Sequence, residues 1–274
     1  MESKRNDDMT PHEAADALRW LAEMGADEII GEAPVDRLKP PPPREQAAAP
    51  SPSARPSPAP APVAPRPALA LPLTGASPAT ACASLAEIAA ALESFDACPL
   101  KKTATRLCFA DGNPAARVML VGEAPGRDED IQGKPFVGRS GQLLDQMLAA
   151  VGLSRQAQDR ESAVFITNTI FWRPPGNRTP TEAETQMCLP FLLKTIELQK
   201  PDVIVCLGAT PAHRLTGRND GILKLRGKWV TANVSGRNIP LLPTLHPAYL
   251  LRQPAQKRLA WRDLLSLRQM LDAH

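Results

Sequence analysis

The stretch VMLVGEAPGRDEDIQGKPFVGRSGQLLDQML, Val118 to Leu148, decides how the rest of the chain is read. Val118, Met119, Leu120 and Val121 form an unbroken apolar run, the pattern of a strand covered on both faces as in a parallel sheet. Gly122 ends that run. The loop that follows mixes Glu123, Asp128, Glu129 and Asp130 with Gly122, Gly126, Gly133, Gly138 and Gly141, so carboxylates sit on backbone that a ligand can approach closely. Leu143, Leu144, Met147, Leu148 and Val151 then recur on one helical stripe, which packs back onto the sheet. The unit is strand, functional loop and helix. A plain phosphate site at a helix N-terminus is the alternative reading, although neither the Walker pattern nor GxGxxG is present.

Outward toward the C-terminus, Ala163 to Ile170 reads as a second buried strand, and Trp172 to Pro180 (WRPPGNRTP) as an irregular loop. Thr181 with Glu184 three residues on makes a capping box for a helix that runs to about Gln199. Asp202 to Leu207 is a third strand, Gly208 to Leu215 a further βα unit, and Trp229 to Ala232 and Ile239 to Thr244 are short strands. The last of these leads into HPAYLLRQP, His246 to Pro254, and Lys257 to Leu271 closes the chain as a helix. Strands alternating with helices predict an α/β fold with a central, mostly parallel sheet of four to five strands flanked by helices. Its site belongs at the carboxyl ends of the strands. Glu123, Asn168 and His246 each follow a strand and are expected to converge on one rim.

Toward the N-terminus, Leu85, Ile88, Ala89 and Leu92 restore helical spacing, so the folded domain is assigned to 81–274. Between Pro34 and Pro78 lie 15 of the 30 prolines, mixed with Ala and Ser, which marks 34–80 as linker. Ahead of it, Thr10 as cap and Ala14, Ala15, Leu18, Leu21 and Ala22 predict an amphipathic helix within 1–33. Residues 1–96 hold 8 basic against 14 acidic side chains, net −6, whereas 97–274 hold 24 against 15, net +9. A basic body with an acidic leader suits a domain that binds a polyanion. No run of 18 apolar residues and no signal h-region occur, so a cytoplasmic monomer without membrane contact is expected. The five cysteines, at 82, 98, 108, 188 and 206, then read as reduced thiols or metal ligands.

Gly122 to Asp145, GEAPGRDEDIQGKPFVGRSGQLLD, resembles the first signature of the family 4 uracil-DNA glycosylases, in which a GE(G/A)PG turn leads through an acidic segment to GxPFVGxxGxLL. HPAYLL at His246 resembles that family's second signature, and the resemblance covers 97–274. It implies an enzyme that flips uracil out of single- or double-stranded DNA and hydrolyses its N-glycosidic bond. By the same resemblance, Phe136 stacks on the base, Asn168 reads its edge, and Ala124 lends backbone. His246 donates to the departing anion, and Glu123 or Glu129 orients water, with Glu123 favoured for its place at the strand end. Tyr249, Leu250 and Leu251 would wedge the duplex, and Arg173, Arg178 and Arg252 would grip phosphates. Rival readings are a nucleotide-binding protein, a silent DNA-binding module, or a glycosylase for another deaminated base.

One departure is informative. The family usually holds a 4Fe-4S cluster on four cysteines, but here only Cys98 and Cys188 remain, with Lys101 and Trp172 at the other two positions. Two thiolates cannot hold such a cluster. The expectation is therefore no cofactor, with Trp172 filling the space and Lys101 free to serve DNA.

Overall fold

The computed structural model describes residues 77–273. The helix expected within 1–33 and the linker up to residue 76 lie outside the described residues. The chain enters through a 3-10 turn, Pro78–Ala81, capped by the Ser77 hydroxyl, with Ala79 fully buried. Ala79 thus packs into the core although it lies ahead of the boundary drawn at 81. A small apolar side chain among prolines carries no periodicity that would have marked it.

Helix α1 (Leu85–Glu93) is followed by strand β1 (Ala110–Gly112), β2 (Val118–Gly122), α2 (Arg127–Gln132), α3 (Arg139–Ala149) and β3 (Val164–Asn168). The second half runs α4 (Glu182–Gln199), β4 (Val203–Leu207), α5 (Ala209–Thr216), α6 (Ile222–Leu225), β5 (Val230–Val234), β6 (Arg237–Thr244), α7 (Pro247–Arg252) and α8 (Lys257–Asp272). The sheet order is β1-β3-β2-β4-β6-β5, with β3, β2, β4 and β6 parallel and both edges antiparallel.

The sheet has six strands rather than four to five. The missed one, β1, spells Ala-Asp-Gly and has no apolar alternation to announce it. It exists because Gly112, at φ +94, lies so close to β3 that a Cβ would stand 2.1 Å from the Val164 carbonyl. At the other edge Val234 pairs with Arg237 across Ser235 and Gly236, both at positive φ. This two-residue hairpin starts β6 ahead of its apolar stretch.

Successive residues of the central strands feed two separate cores. Met119, Val121, Phe165, Ile204 and Cys206 face Ile88, Leu92, Phe191 and Ile196; Val118, Leu120, Val164, Ile166 and Val205 face Leu144, Leu148, Leu264 and Leu267. The capping box read from Thr181 and Glu184 is present. The acidic segment, in contrast, is not all loop. Asp128, Glu129 and Asp130 form the first turn of α2, where carboxylates meet the positive end of the helix dipole. Among the described residues no helix is long and apolar enough to cross a membrane.

Candidate active site

The parallel register sets Gly122 directly beside Asn168, and Leu207 beside Thr244. The carboxyl ends of β2, β3 and β6 therefore open onto one cavity of about 440 Å³, lined by Glu123, Ala124, Phe136, Asn168, His246 and Arg252. A volume of this order suits one small ligand. Gly122 makes the close approach possible: a Cβ there would lie 2.3 Å from Asn168 Oδ1 and 2.6 Å from the Phe136 ring.

Phe136 sits at φ +55, a left-handed backbone that costs a bulky residue about 1–2 kcal/mol. Its ring lies 5.5 Å from the His246 ring at 31°. Asn168 is only 1% exposed, and neither its Oδ1 nor its Nδ2 has a hydrogen-bond partner. An unpaired buried polar group costs about 1–3 kcal/mol. The side chain is thus held ready for something the cavity receives.

His246 caps α7, and its Nδ1 accepts the Ala248 backbone N–H at 3.1 Å. In the neutral ring the proton is therefore on Nε2, which is left free as a donor. Burial, followed by the positive charge of Arg252, pushes the His246 pKa down to about 4. Burial also raises the Glu123 carboxyl above the usual glutamate value, a shift that the hydrogen bond with Thr210 partly offsets. Thr210 was not legible in the sequence: it stands in the first turn of α5 with no motif around it.

Several expected site residues have other work. Glu129 Oε1 accepts the backbone N–H groups of Val137 and Gly138 at 2.9 Å each, and Oε2 accepts that of Gly126 at 3.1 Å. Both oxygens brace the loop, so of the two candidate carboxylates only Glu123 has its oxygens free of backbone donors. Asp130, another carboxylate of that segment, is 4% exposed and accepts the N–H groups of Thr105 and Arg106. Leu250, expected in the wedge, is fully buried beside Leu245 and Ala260, whereas Tyr249 and Leu251 remain half-exposed. Apolar residues on a six-residue helix give no clue to which one points inward.

Of the three arginines, Arg252 is exposed at the cavity edge. Arg178 forks onto Glu184 at 2.6 and 2.9 Å, tying the Pro-rich loop to α4, and Arg173 Nε donates to Asn177 Oδ1 at 2.7 Å. Lys101, expected to be free, donates to the Glu93 carbonyl and pairs with Asp96 at 2.7 Å.

The family model for the uracil DNA glycosylase superfamily matches residues 109–265, a span that holds all of these cavity residues. The chain belongs to the uracil DNA glycosylase superfamily. It is 41% identical over 171 residues to the type-4 uracil-DNA glycosylase of Thermotoga maritima, covering 61% of this chain and 84% of that one. The type-4 enzyme of Archaeoglobus fulgidus is 39% identical over 175 residues, covering 62% of this chain and 85% of that protein.

At the four positions that the resemblance sets against cluster ligands, this chain offers only two thiols. Cys98 and Cys188 are buried together, and the hydrogen bond between them lowers the Cys98 pKa and raises that of Cys188. At the other two positions stand an ammonium already paired with Asp96 and an indole. Trp172 is 2% exposed and stacks on Phe95 at 6.5 Å within the same core as both thiols. Neither group is an iron ligand, and the residues present do not fit a 4Fe-4S cluster.

Proposed function

We propose that this chain removes uracil from single- or double-stranded DNA by hydrolysing the N-glycosidic bond, acting as a cytoplasmic monomer in base excision repair. The observation that carries the reading is the unpaired Asn168 carboxamide, buried in the wall of the cavity that Phe136 and His246 also line. A carboxamide offers a donor to uracil O4 and an acceptor to N3–H. Cytosine reverses both groups and would leave the buried amide unsatisfied, a strong form of discrimination.

In this mechanism the extruded base stacks on Phe136, an interaction worth roughly 1–3 kcal/mol. As the glycosidic bond lengthens, negative charge gathers on the base and reaches O2. The neutral His246 ring donates there without a proton having to be gained first, a term worth roughly 2.7–4 kcal/mol at comparable sites. Glu123 faces the sugar, orients the attacking water and offsets the oxocarbenium charge. The Ala124 backbone adds a polar edge to that water site. Glu129 holds the loop that carries them. Arg252 and the free Nη groups of Arg173 meet phosphates, with Tyr249 and Leu251 against the gap in the stack. A nucleotide-binding role fits less well, because Glu123 and Glu129 both line the cavity and would repel a phosphate.

Oligonucleotides carrying uracil, thymine, hypoxanthine, xanthine or cytosine at one position, treated with the protein and then with hot alkali, test this reading. Scission is expected at uracil, with cytosine untouched. Intact uracil strands, or scission at hypoxanthine alone, would replace the assigned activity.

The same proposal holds that the protein works without an iron–sulfur cluster. Protein purified anaerobically should be colourless near 400 nm and free of stoichiometric iron and sulfide, yet excise uracil. Iron at cluster stoichiometry that disappears in Cys98→Ser would overturn it.

A further inference from the structure

Arg155 belongs to no motif and lies in the loop between α3 and β3, yet its side chain is only 6% exposed. Its Nη1 donates to the Pro135 carbonyl at 3.0 Å, and its Nη2 to the Phe136 carbonyl at 2.9 Å. Two carboxylates hold the guanidinium in place: Asp145 of α3 accepts from Nε at 2.8 Å, and Asp111 of β1 from Nη1 at 3.2 Å. Lys134 also reaches Asp111, at 3.4 Å.

These bonds converge on Phe136, a cavity residue whose backbone is left-handed. The carbonyl of Phe136 is fixed from one side by Arg155 and closely packed on the other by Gly141, where a Cβ would stand 1.8 Å from the oxygen. A phenylalanine gains nothing from that backbone by itself, and the peptide would relax to an ordinary conformation if its carbonyl were released. Relaxation swings the Cα–Cβ bond and carries the ring away from its place opposite His246. The planar fork of a guanidinium can span two successive carbonyls and two carboxylates at once; an ammonium cannot.

We propose that Arg155 is a positioning residue for uracil excision, acting only through the Phe136 platform. The inference rests on the reading of the cavity as a uracil site. It also gives the short edge strand β1 a purpose: Asp111 is the anchor that this strand contributes.

The test is a double-mutant cycle on single-turnover excision with Arg155→Met and Phe136→Leu, the melting temperature being recorded for each protein. Arg155→Met is expected to slow excision about tenfold or more in the parent and less than about threefold when Phe136 is already Leu. Arg155→Lys should fall between parent and Met. Equal fold losses in both backgrounds would mean a general structural role and overturn the inference, as would no loss in Arg155→Met or in Phe136→Leu. Should Arg155→Met fail to fold, Asp145→Asn, which frees one anchor at the surface, takes its place with the same expected non-additivity. Absence of excision by the parent protein would instead sink the functional reading on which the inference stands.

Discussion

Replacing His246 with alanine lowers single-turnover uracil excision by about 2 kcal/mol or more, roughly thirtyfold, while the protein stays folded. The magnitude follows from a donor that meets charge only in the transition state. Because Nδ1 is committed to the Ala248 N–H, the ring cannot turn to offer its other nitrogen. Asn168→Ala should cost a similar amount of activity with an opposite signature in stability. Its carboxamide is buried without a partner, so removing it relieves a desolvation cost. The alanine variant is expected to melt no lower than the parent while losing excision. A large fall in melting temperature, or parental rates in either variant, would contradict this assignment of the cavity.

The second large effect concerns Glu123. Its ionised form is the one that attracts the oxocarbenium charge and orients water, and burial raises its pKa above the ordinary 4.5. The base form is lost as pH falls through that raised value, so the acid limb of the rate profile should begin at a higher pH than a free glutamate would give. His246, whose pKa burial lowers to about 4, carries an Nε2 proton in both of its forms. Glu123→Gln should lower the rate by roughly 10² or more and flatten the acid limb, since the group that titrates is gone. Glu129→Gln should behave differently. It exchanges a carboxylate that accepts three backbone N–H groups for an amide that accepts fewer, which weakens the loop without removing the limb. A limb that survives in Glu123→Gln would transfer the role of base to another group.

How legible the site was depended on the range of the interaction. Glu123, Phe136, Asn168 and His246 each follow a strand or sit in a fixed turn, and a motif records that local geometry. The parallel register then does the convergence. The jobs of Glu129 and Asp130 were not legible, because an acidic residue in a glycine-rich segment looks the same whether it faces solvent or holds backbone elsewhere. The Asp130 partners, Thr105 and Arg106, lie about 25 residues away in sequence. Arg155 and Thr210 gave no signal at all, since a lone Arg or Thr in a connecting segment is ordinary until the chain is folded. The fold was readable where apolar runs were long, as in Val118–Gly122 and Val203–Leu207, and unreadable at β1, where a glycine contact rather than a hydrophobic pattern makes the strand. Leu250 shows the converse: a motif marked the helix, but only packing against Leu245 and Ala260 decided which leucine faces inward.

One cavity is expected both to recognise uracil and to release it. Mass spectrometry of the small molecules released from DNA carrying a single uracil, with the parent protein and the Asn168→Ala/His246→Ala double variant side by side, tests it most directly. Free uracil, with one abasic site left per uracil released, is expected from the parent and almost none from a folded double variant. Undiminished uracil release by that variant, or intact DNA with the parent, would contradict it.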